Sequence, residues 1–351
     1  IKTIFEKELP PHNILHAAPP CQPFSVAGKA LGSKDKRAEV MPYIAHLTQR
    51  WQPLIVIIEQ APGFYNWHSP GRHTKDGSSG PAFEDICARI NRAGYHVDSR
   101  TLLACRFKSH QSRLRLWIVA TRRNVVDAVG AFSFGSLPPR EHLPFAELLT
   151  SDSSFTTVAP ASKLTAIPFK HIDFKPHRLG SFNGQKVWST TGLCPCVLTS
   201  KRHLFVHEGS IITPTVATLA KLQGLDPSSL PADDAVARKI VGNSIHRGMH
   251  IYVLSRAMEH ATIAIEAGIP AFRPPAKVAW PEQLKSSKSS RTFDTVQVPT
   301  VHDTTPLHAL PGVTPGTVDP PDPAPLDLDA LEPSILKAVD RWALKVKQIL
   351  L

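Results

Sequence analysis

The sequence predicts an α/β fold with reactive side chains at the ends of neighbouring strands. Two apolar runs, Ile14 to Ala18 and Leu54 to Ile58, are typical of strands buried within a parallel sheet. The interval 39–51 between them is long enough for a crossover helix. Cys21 follows the first strand and Glu59 follows the second. Because the carboxyl ends of parallel strands meet at one edge of a sheet, we expect these two side chains to lie together.

The loop that carries Cys21 is stiff by composition. Residues 19–25 read Pro-Pro-Cys-Gln-Pro-Phe-Ser, and the first two prolines prevent a helix from starting before the cysteine. A cysteine in such a loop is more often an inert thiol than a nucleophile. Glu59 also has two interpretations. It is either a solvated carboxylate at a strand end or a general acid whose pKa is raised by partial burial.

A third extended segment carries basic and amide side chains. It follows a strand-like stretch at 95–104, and residues 111–115 read Gln-Ser-Arg-Leu-Arg. Period-two alternation puts Gln111, Arg113 and Arg115 on one side of this segment. Such donors suit phosphates and base edges, although arginines at a strand edge are more often simply solvated.

The remaining periodic segments predict helices. One helix is expected over 83–93 with a stop at Gly94, and another between Thr213 and a Leu-Gln-Gly turn at 222–224. A long helix is expected to run to about Ala267. Its start is the Gly-Asn-Ser segment at 242–244, in which the glycine allows a tight turn and Asn243 or Ser244 caps the helix.

Taken together and in this order, these motifs resemble the cytosine-5 DNA methyltransferase family. The likeness covers about residues 13–267. It implies the Rossmann-like sheet of a methyltransferase that depends on S-adenosylmethionine, with a small target-recognition insert. It also implies double-stranded DNA as the partner. No metal is expected. The resemblance therefore predicts a DNA (cytosine-5-)-methyltransferase.

The resemblance also implies a role for each site residue. Cys21 would attack ring carbon 6 of a flipped cytosine. Glu59 would bind ring nitrogen 3 and the exocyclic amine, Arg115 would reach the base carbonyl, and Arg113 would lie nearer the backbone. The implied cofactor contacts are Pro20, Asn243 and Ser244. The implied DNA contacts are Pro19, Gln22, Ser25, Arg37 and Gln111.

Some positions depart from the family pattern. Gln60 stands where the family has an asparagine that braces the glutamate and the cysteine loop, and its extra methylene is expected to loosen that brace. Only twenty residues precede Cys21, and they contain no Phe-x-Gly-x-Gly turn for the cofactor. We therefore expect an N-terminally incomplete sheet with an exposed apolar edge, and a fragment with little activity alone. A cofactor-binding segment would then lie upstream or on a separate chain.

Two other functions remain open from the sequence. One is an RNA cytosine-5 methyltransferase, although the Cys-Phe-Thr motif of the tRNA-methylating branch is not found. The other is a non-catalytic remnant that binds DNA or a partner subunit. The missing glycine turn and Gln60 favour the remnant, whereas the intact set of Cys21, Glu59, Arg113 and Arg115 favours the enzyme.

Composition agrees with a nucleic-acid partner. The net charge is +11 and the sequence pI is about 9.5, which suits a polyanion. The five cysteines have irregular spacing, and Cys21 has to be reduced to react, so we expect an intracellular, reducing compartment, the nucleus in a eukaryote. No secretory signal or membrane span is seen in the sequence. Cys194 and Cys196 lie too close to His203 and His207 for a finger-type zinc site.

The organisation along the chain follows from these motifs and from composition. Residues 124–210 are expected to be mostly irregular apart from a strand at 195–199, and residues 274–332 have the composition of a disordered linker. The predicted divisions are a catalytic core over 1–123, a target-recognition region over 124–210, a return to the core over 211–273, a Pro-rich linker over 274–332 and an amphipathic helix over 333–351.

Overall fold

The computed structural model describes residues 12–25, 31–69, 72–73, 78–141, 143–149, 154–167, 175–199 and 203–270. The predicted linker at 274–332 and the predicted helix at 333–351 lie outside this range. The helices are α1 (Val40–Trp51), α2 (Pro81–Arg92), α3 (Arg123–Val129), α4 (Val216–Leu222), α5 (Asp234–Asn243) and α6 (Arg247–Glu266). The strands are β1 (Ile14–Ala17), β2 (Ile55–Gln60), β3 (Trp67–Ser69), β4 (Arg72–His73), β5 (Tyr95–Leu103), β6 (Leu114–Arg122), β7 (Phe155–Pro160), β8 (Thr165–Ala166), β9 (Arg178–Phe182), β10 (Gln185–Ser189), β11 (Leu204–His207) and β12 (Ser210–Pro214).

The first sheet has four described strands in the order β1-β2-β6-β5. β1 and β2 are parallel, and α1 is the crossover between them. β6 runs antiparallel to both of its neighbours. The predicted α/β class is confirmed, as are the strand at β5 and the helix at α2.

Helices cover the first sheet on both faces. Ile55 and Ile57 pack with α6 on one face, whereas Val56 and Ile58 pack with α1 and α2 on the other. Every residue of β2 is buried, as expected for a central strand of such a sheet. β1 is only half-buried at each position, so its residues are less enclosed than their apolar run predicts. Each fully buried Ile or Leu contributes about 1.5–3 kcal/mol, so burial holds β2 firmly in the sheet.

The second sheet corrects the prediction of an irregular region over 124–210. It has six described strands in the order β7-β12-β11-β10-β9-β8. Its strands are two to six residues long, too short for a clear alternation in the sequence. The turn signals were nevertheless present: Asn183-Gly184 and Glu208-Gly209 all have positive φ and close two tight hairpins. The strand predicted at 195–199 is absent from the described structure.

The entry into the last helix also differs from the prediction. Asn243 ends α5, and the His246 side chain, not Asn243 or Ser244, caps α6 by accepting a hydrogen bond from the Met249 amide. Gly242 lies inside α5 and serves a close approach: a Cβ there would lie 2.6 Å from the Thr199 nitrogen. In the part of the chain that the structure describes, no helix is long and apolar enough to span a membrane.

Candidate active site

The site lies where the carboxyl ends of β1 and β2 meet the start of β6. Cys21 sits in the turn after β1, which is closed by a hydrogen bond from the Phe24 amide to the Cys21 carbonyl, 3.1 Å. Glu59 is the next-to-last residue of β2 and pairs with Trp117 of β6. Because β6 runs in the opposite direction, Arg115 near its start lies at the same edge. The predicted convergence of Cys21, Glu59 and Arg115 is therefore what the sheet produces.

A buried ion pair forms the floor of the site. The Arg115 Nε lies 3.0 Å from Glu59 Oε1, and the two side chains are only 10% and 9% exposed. Arg115 also donates through Nη1 to the Leu114 carbonyl, 2.7 Å. The pair places one positive and one negative group side by side, away from bulk water, where a polar ring could contact both.

The charges of this ion pair affect the pKa of the Cys21 thiol. Burial raises the pKa of Cys21, the Arg115 guanidinium lowers it, and Glu59 raises it again, with a net rise above the ordinary value. The thiol is therefore largely protonated at neutral pH in this structure. Arg115 is the nearby group that favours its ionisation most.

Gln60 connects β2 to the cysteine loop. Its Nε2 lies 3.3 Å from the Pro19 carbonyl and 3.4 Å from the Pro20 carbonyl, and its Oε1 accepts from the Ala61 amide at 2.8 Å. The side chain is fully buried. The brace that the sequence left in doubt is present, because the longer side chain still reaches both carbonyls.

Replacing Gln60 with leucine is expected to lower the free energy of unfolding by about 1–3 kcal/mol. The change keeps the volume but leaves buried carbonyls of the cysteine loop without a donor. Urea unfolding measures the loss. The exposed Gln185 on β10 is the matched control, and Gln185→Leu should change stability by less than about 0.5 kcal/mol. Equal effects at the two positions would show that Gln60 does not brace the loop.

Arg113 fastens three segments together. Its Nη2 donates to the Ser244 carbonyl at 2.7 Å, and its Nη1 lies 3.5 Å from the Val197 carbonyl and 3.4 Å from the Cys196 sulfur. Gln111, on the same side of the chain, is fully buried, and its Nε2 donates to the Leu222 carbonyl at 2.6 Å. The predicted shared side of the segment is confirmed. A contact between Gln111 and DNA stays a prediction that its buried position does not favour.

The residues predicted for the cofactor and DNA lie around the loop. Gln22 Nε2 is 3.3 Å from Asn243 Oδ1, so the cysteine loop and the end of α5 are in contact. Asn243 is exposed beside half-buried Pro20, whereas the Ser244 hydroxyl is used within the chain, 2.7 Å from the Val241 carbonyl. Pro20 and Asn243 therefore fit a ligand at this edge better than the Ser244 side chain does.

The outer part of the predicted DNA-contact set is less enclosed. Of the two ends of the cysteine loop, Pro19 is buried and Ser25 is half-buried. Arg37 has a 53% exposed side chain and forms a two-pronged contact with Asp35, at 2.9 Å and 2.5 Å. The exposed guanidinium is available to a phosphate if it leaves Asp35.

Two residues of the site were not predicted. Cys196 contacts both arginines, and His246 is buried close enough for their charges to act on it. No spacing rule could have found Cys196, since 83 residues separate it from Arg113. A hydrogen bond joins the His203 Nε2 atom to the Cys196 carbonyl oxygen, 3.1 Å apart, and not to the sulfur. Among the described residues there is no group of three or more His, Cys, Asp or Glu placed to hold a metal.

His246 is expected to make the fold sensitive to acid. Burial, helped by Arg113 and Arg115, lowers the pKa of His246 to about 3, against about 6.5 in an unfolded chain. The unfolded state therefore binds the extra proton, and stability is lost as the pH falls from 6.5 towards 3. His246→Asn retains a capping side chain and cannot titrate. The loss of stability between pH 7 and pH 5, measured by urea unfolding, should be smaller by about 2 kcal/mol in this variant; an unchanged loss would contradict the assignment.

The sheet and the site together define a Rossmann-like α/β protein with a cysteine, a glutamate and an arginine at its strand ends. Residues 1–159 match the family model described as C-5 cytosine-specific DNA methylase, and this match covers less than half of the 351-residue chain.

Known proteins show the extent of the likeness. The type II methyltransferase M.NgoBI of Neisseria gonorrhoeae is 31% identical over 152 residues, 43% of this chain and 43% of that protein. M.NlaX of Neisseria lactamica is 27% identical over 248 residues, 68% of this chain and 73% of that protein. The Entamoeba histolytica methyltransferase EhMeth, a solved structure, has a TM-score of 0.44 and 14% identity over 71% of this chain and 76% of that one. The match to M.NgoBI thus spans less than half of that relative.

Proposed function

We propose that this protein transfers a methyl group to carbon 5 of cytosine in double-stranded DNA. The observation that carries the proposal is the buried Glu59–Arg115 pair beside the Cys21 thiol, at one edge of the sheet, in a segment that matches the family model described as C-5 cytosine-specific DNA methylase. Each group has a task in that reaction. The net charge of +11 favours association with a polyanion.

Cys21 is the proposed nucleophile. Its thiolate sulfur forms a bond to ring carbon 6, and the electron pair of the carbon 5–carbon 6 double bond becomes available at carbon 5. The thiol first has to lose its proton, and Arg115 is the group that favours the anion. The stiff loop, braced by Gln60, holds the sulfur while the bond forms.

Glu59 and Arg115 orient and polarise the base. Glu59 accepts a hydrogen bond from the exocyclic amine and, in its protonated form, donates to ring nitrogen 3, which stabilises the enamine that forms when Cys21 adds. Arg115 keeps its contact with Glu59 and donates to the ring carbonyl. Because this pair is buried, a cytosine stacked in a duplex cannot reach it, so the base has to be flipped out at a cost of about a few kcal/mol.

S-adenosylmethionine is the proposed cofactor and supplies the methyl group when bound. Pro20 and Asn243 are the residues of this chain that would line one edge of its site, with Gln22 holding the Asn243 side chain. After carbon 5 has gained the methyl group, loss of its proton and expulsion of the Cys21 thiolate restore the double bond and free the protein. The free thiolate requires a reducing compartment, which we propose as the location.

Transfer of labelled methyl from S-adenosylmethionine tests the proposal. The acceptors are duplex DNA and RNA of the same sequence, and the proteins are the 351-residue chain, any longer protein that its gene encodes, and Cys21→Ala versions of each. We expect label on DNA that depends on Cys21. Label on RNA alone would assign the RNA-modifying alternative. DNA binding without label from any version would assign the non-catalytic remnant.

A further inference from the structure

The positive charges in the site outnumber the carboxylates that face them. Arg113 and Arg115 are 2% and 9% exposed as whole residues. Among the described residues, the carboxylate within ion-pair distance of these arginines is that of Glu59, which contacts Arg115. One buried positive charge is left over. A buried charge without a counter-charge costs several kcal/mol, so an additional anion is expected nearby.

The Cys196 sulfur occupies the position where that anion is needed. It lies 3.4 Å from Arg113 Nη1 and 3.8 Å from Arg115 Nη2, so it faces both guanidinium groups at once. Burial acts to raise the pKa of Cys196, yet Arg113 and Arg115 together outweigh burial and hold this pKa below its ordinary value.

We propose that Cys196 is a positioning residue that, as a thiolate, balances the buried charge of Arg113 and Arg115 and holds their guanidinium groups in the site. It acts through the arginines and does not itself bond to the base. The inference rests on the proposed function for its catalytic meaning, because Arg115 is the group that orients Glu59 and favours ionisation of Cys21.

Main-chain contacts hold the segment that carries Cys196 next to the segment that carries Arg113. The Cys194 amide donates to the His110 carbonyl at 2.7 Å, and the Ser112 amide donates to the Cys194 carbonyl at 2.9 Å. Cys194 is itself fully buried, and burial holds its pKa well above the ordinary value, so it stays neutral. In the Cys-Pro-Cys segment, Cys196 is thus the ionised thiol, and it faces the two guanidinium groups of Arg113 and Arg115.

The charge on Cys196 has a consequence for Cys21. Arg115 is the group that most lowers the pKa of Cys21, and an anion at Cys196 offsets part of that positive charge. In the free protein Cys196 then ionises at a lower pH than Cys21. Without the Cys196 charge, the positive charge of Arg115 should act more strongly on Cys21 and favour the Cys21 thiolate.

Thiol alkylation across a pH series tests the first part in the full chain. Each cysteine is followed by mass spectrometry of its peptide after brief treatment with iodoacetamide. The midpoint of reaction against pH reports ionisation, whereas the absolute rate also depends on access. Cys196 should reach its midpoint at lower pH than Cys21. The Cys196 midpoint should also lie well below that of Cys87, because burial raises the pKa of Cys87 to about 12. A Cys196 midpoint equal to or above that of Cys21 would overturn the proposal.

Two variants test the charge itself. In Cys196→Ser the anion is gone, and the Cys21 midpoint should move to lower pH, whereas Cys196→Asp should keep it close to that of the unchanged protein. A role in packing alone would not separate serine from aspartate in this way. An unmoved Cys21 midpoint in a folded Cys196→Ser variant would refute the charge role, and if that variant does not fold, the titration of the unchanged protein decides. The assay uses neither DNA nor cofactor, so absent methyl transfer would count against the proposed function and leave this result intact.

Discussion

Replacing Cys21 with alanine is expected to reduce methyl transfer by at least about a thousandfold. Without the sulfur nothing adds to ring carbon 6, and carbon 5 does not become nucleophilic. The residue is half-buried in a loop, so the fold should change by less than about 1 kcal/mol. Transfer of label to duplex DNA measures the activity, and thermal unfolding checks the fold.

A covalent complex with modified DNA gives a second readout for the same variant. Fluorine at carbon 5 of cytosine occupies the position from which a proton has to leave, so the bond between Cys21 and the base persists. A complex of protein and DNA should survive denaturation for the unchanged chain and be absent for Cys21→Ala. Cys87→Ala, which alters a half-buried thiol on α2, is the matched control and should keep both activities. Persistent methylation by Cys21→Ala would exclude the cysteine mechanism.

Replacing Arg115 with methionine is expected to destabilise the protein by about 3–5 kcal/mol and to abolish transfer. The substitution leaves the Glu59 carboxylate buried without its partner at 3.0 Å. Adding Glu59→Gln removes the second charge and should recover much of the lost stability, because a neutral pair carries a smaller desolvation cost. Activity should stay absent in both variants, since neither can orient the base.

Urea unfolding of the two single variants and the double variant measures the coupling of this pair. The exposed Arg89–Asp85 pair on α2 is the control, with both side chains 37% exposed, and the corresponding cycle there should give less than about 0.5 kcal/mol. A double variant as unstable as Arg115→Met alone would show that Glu59 does not depend on Arg115.

Much of the first sheet could be predicted because its signals are local and strong. The apolar run of β2 requires burial on both faces, and the parallel pairing of β1 with β2 then brings Cys21 and Glu59 to one edge. The alternation at 111–115 survives in the structure as well, where Gln111, Arg113 and Arg115 are buried and Leu114 is 40% exposed.

The parts that could not be predicted depend on contacts between distant segments. Cys196 reaches the site only because Cys194 pairs with Gln111, three residues before β6 begins. His246 became a helix cap because α5 extends to Asn243 and leaves a short link before α6. Gly242 carries no positive φ, so its need for glycine arises from the close approach of the backbone of Leu198 and Thr199.

The connection between β10 and β11 links the second sheet to the first. These strands run parallel although one follows the other along the chain, so a tight turn cannot join them. The described part of their connection, residues 190–199, pairs at Cys194 with Gln111, just before β6, and carries Cys196 to the two arginines. A shift of β10 relative to β6 would therefore reach Arg113 and Arg115 through the covalent main chain as well as through side-chain contacts.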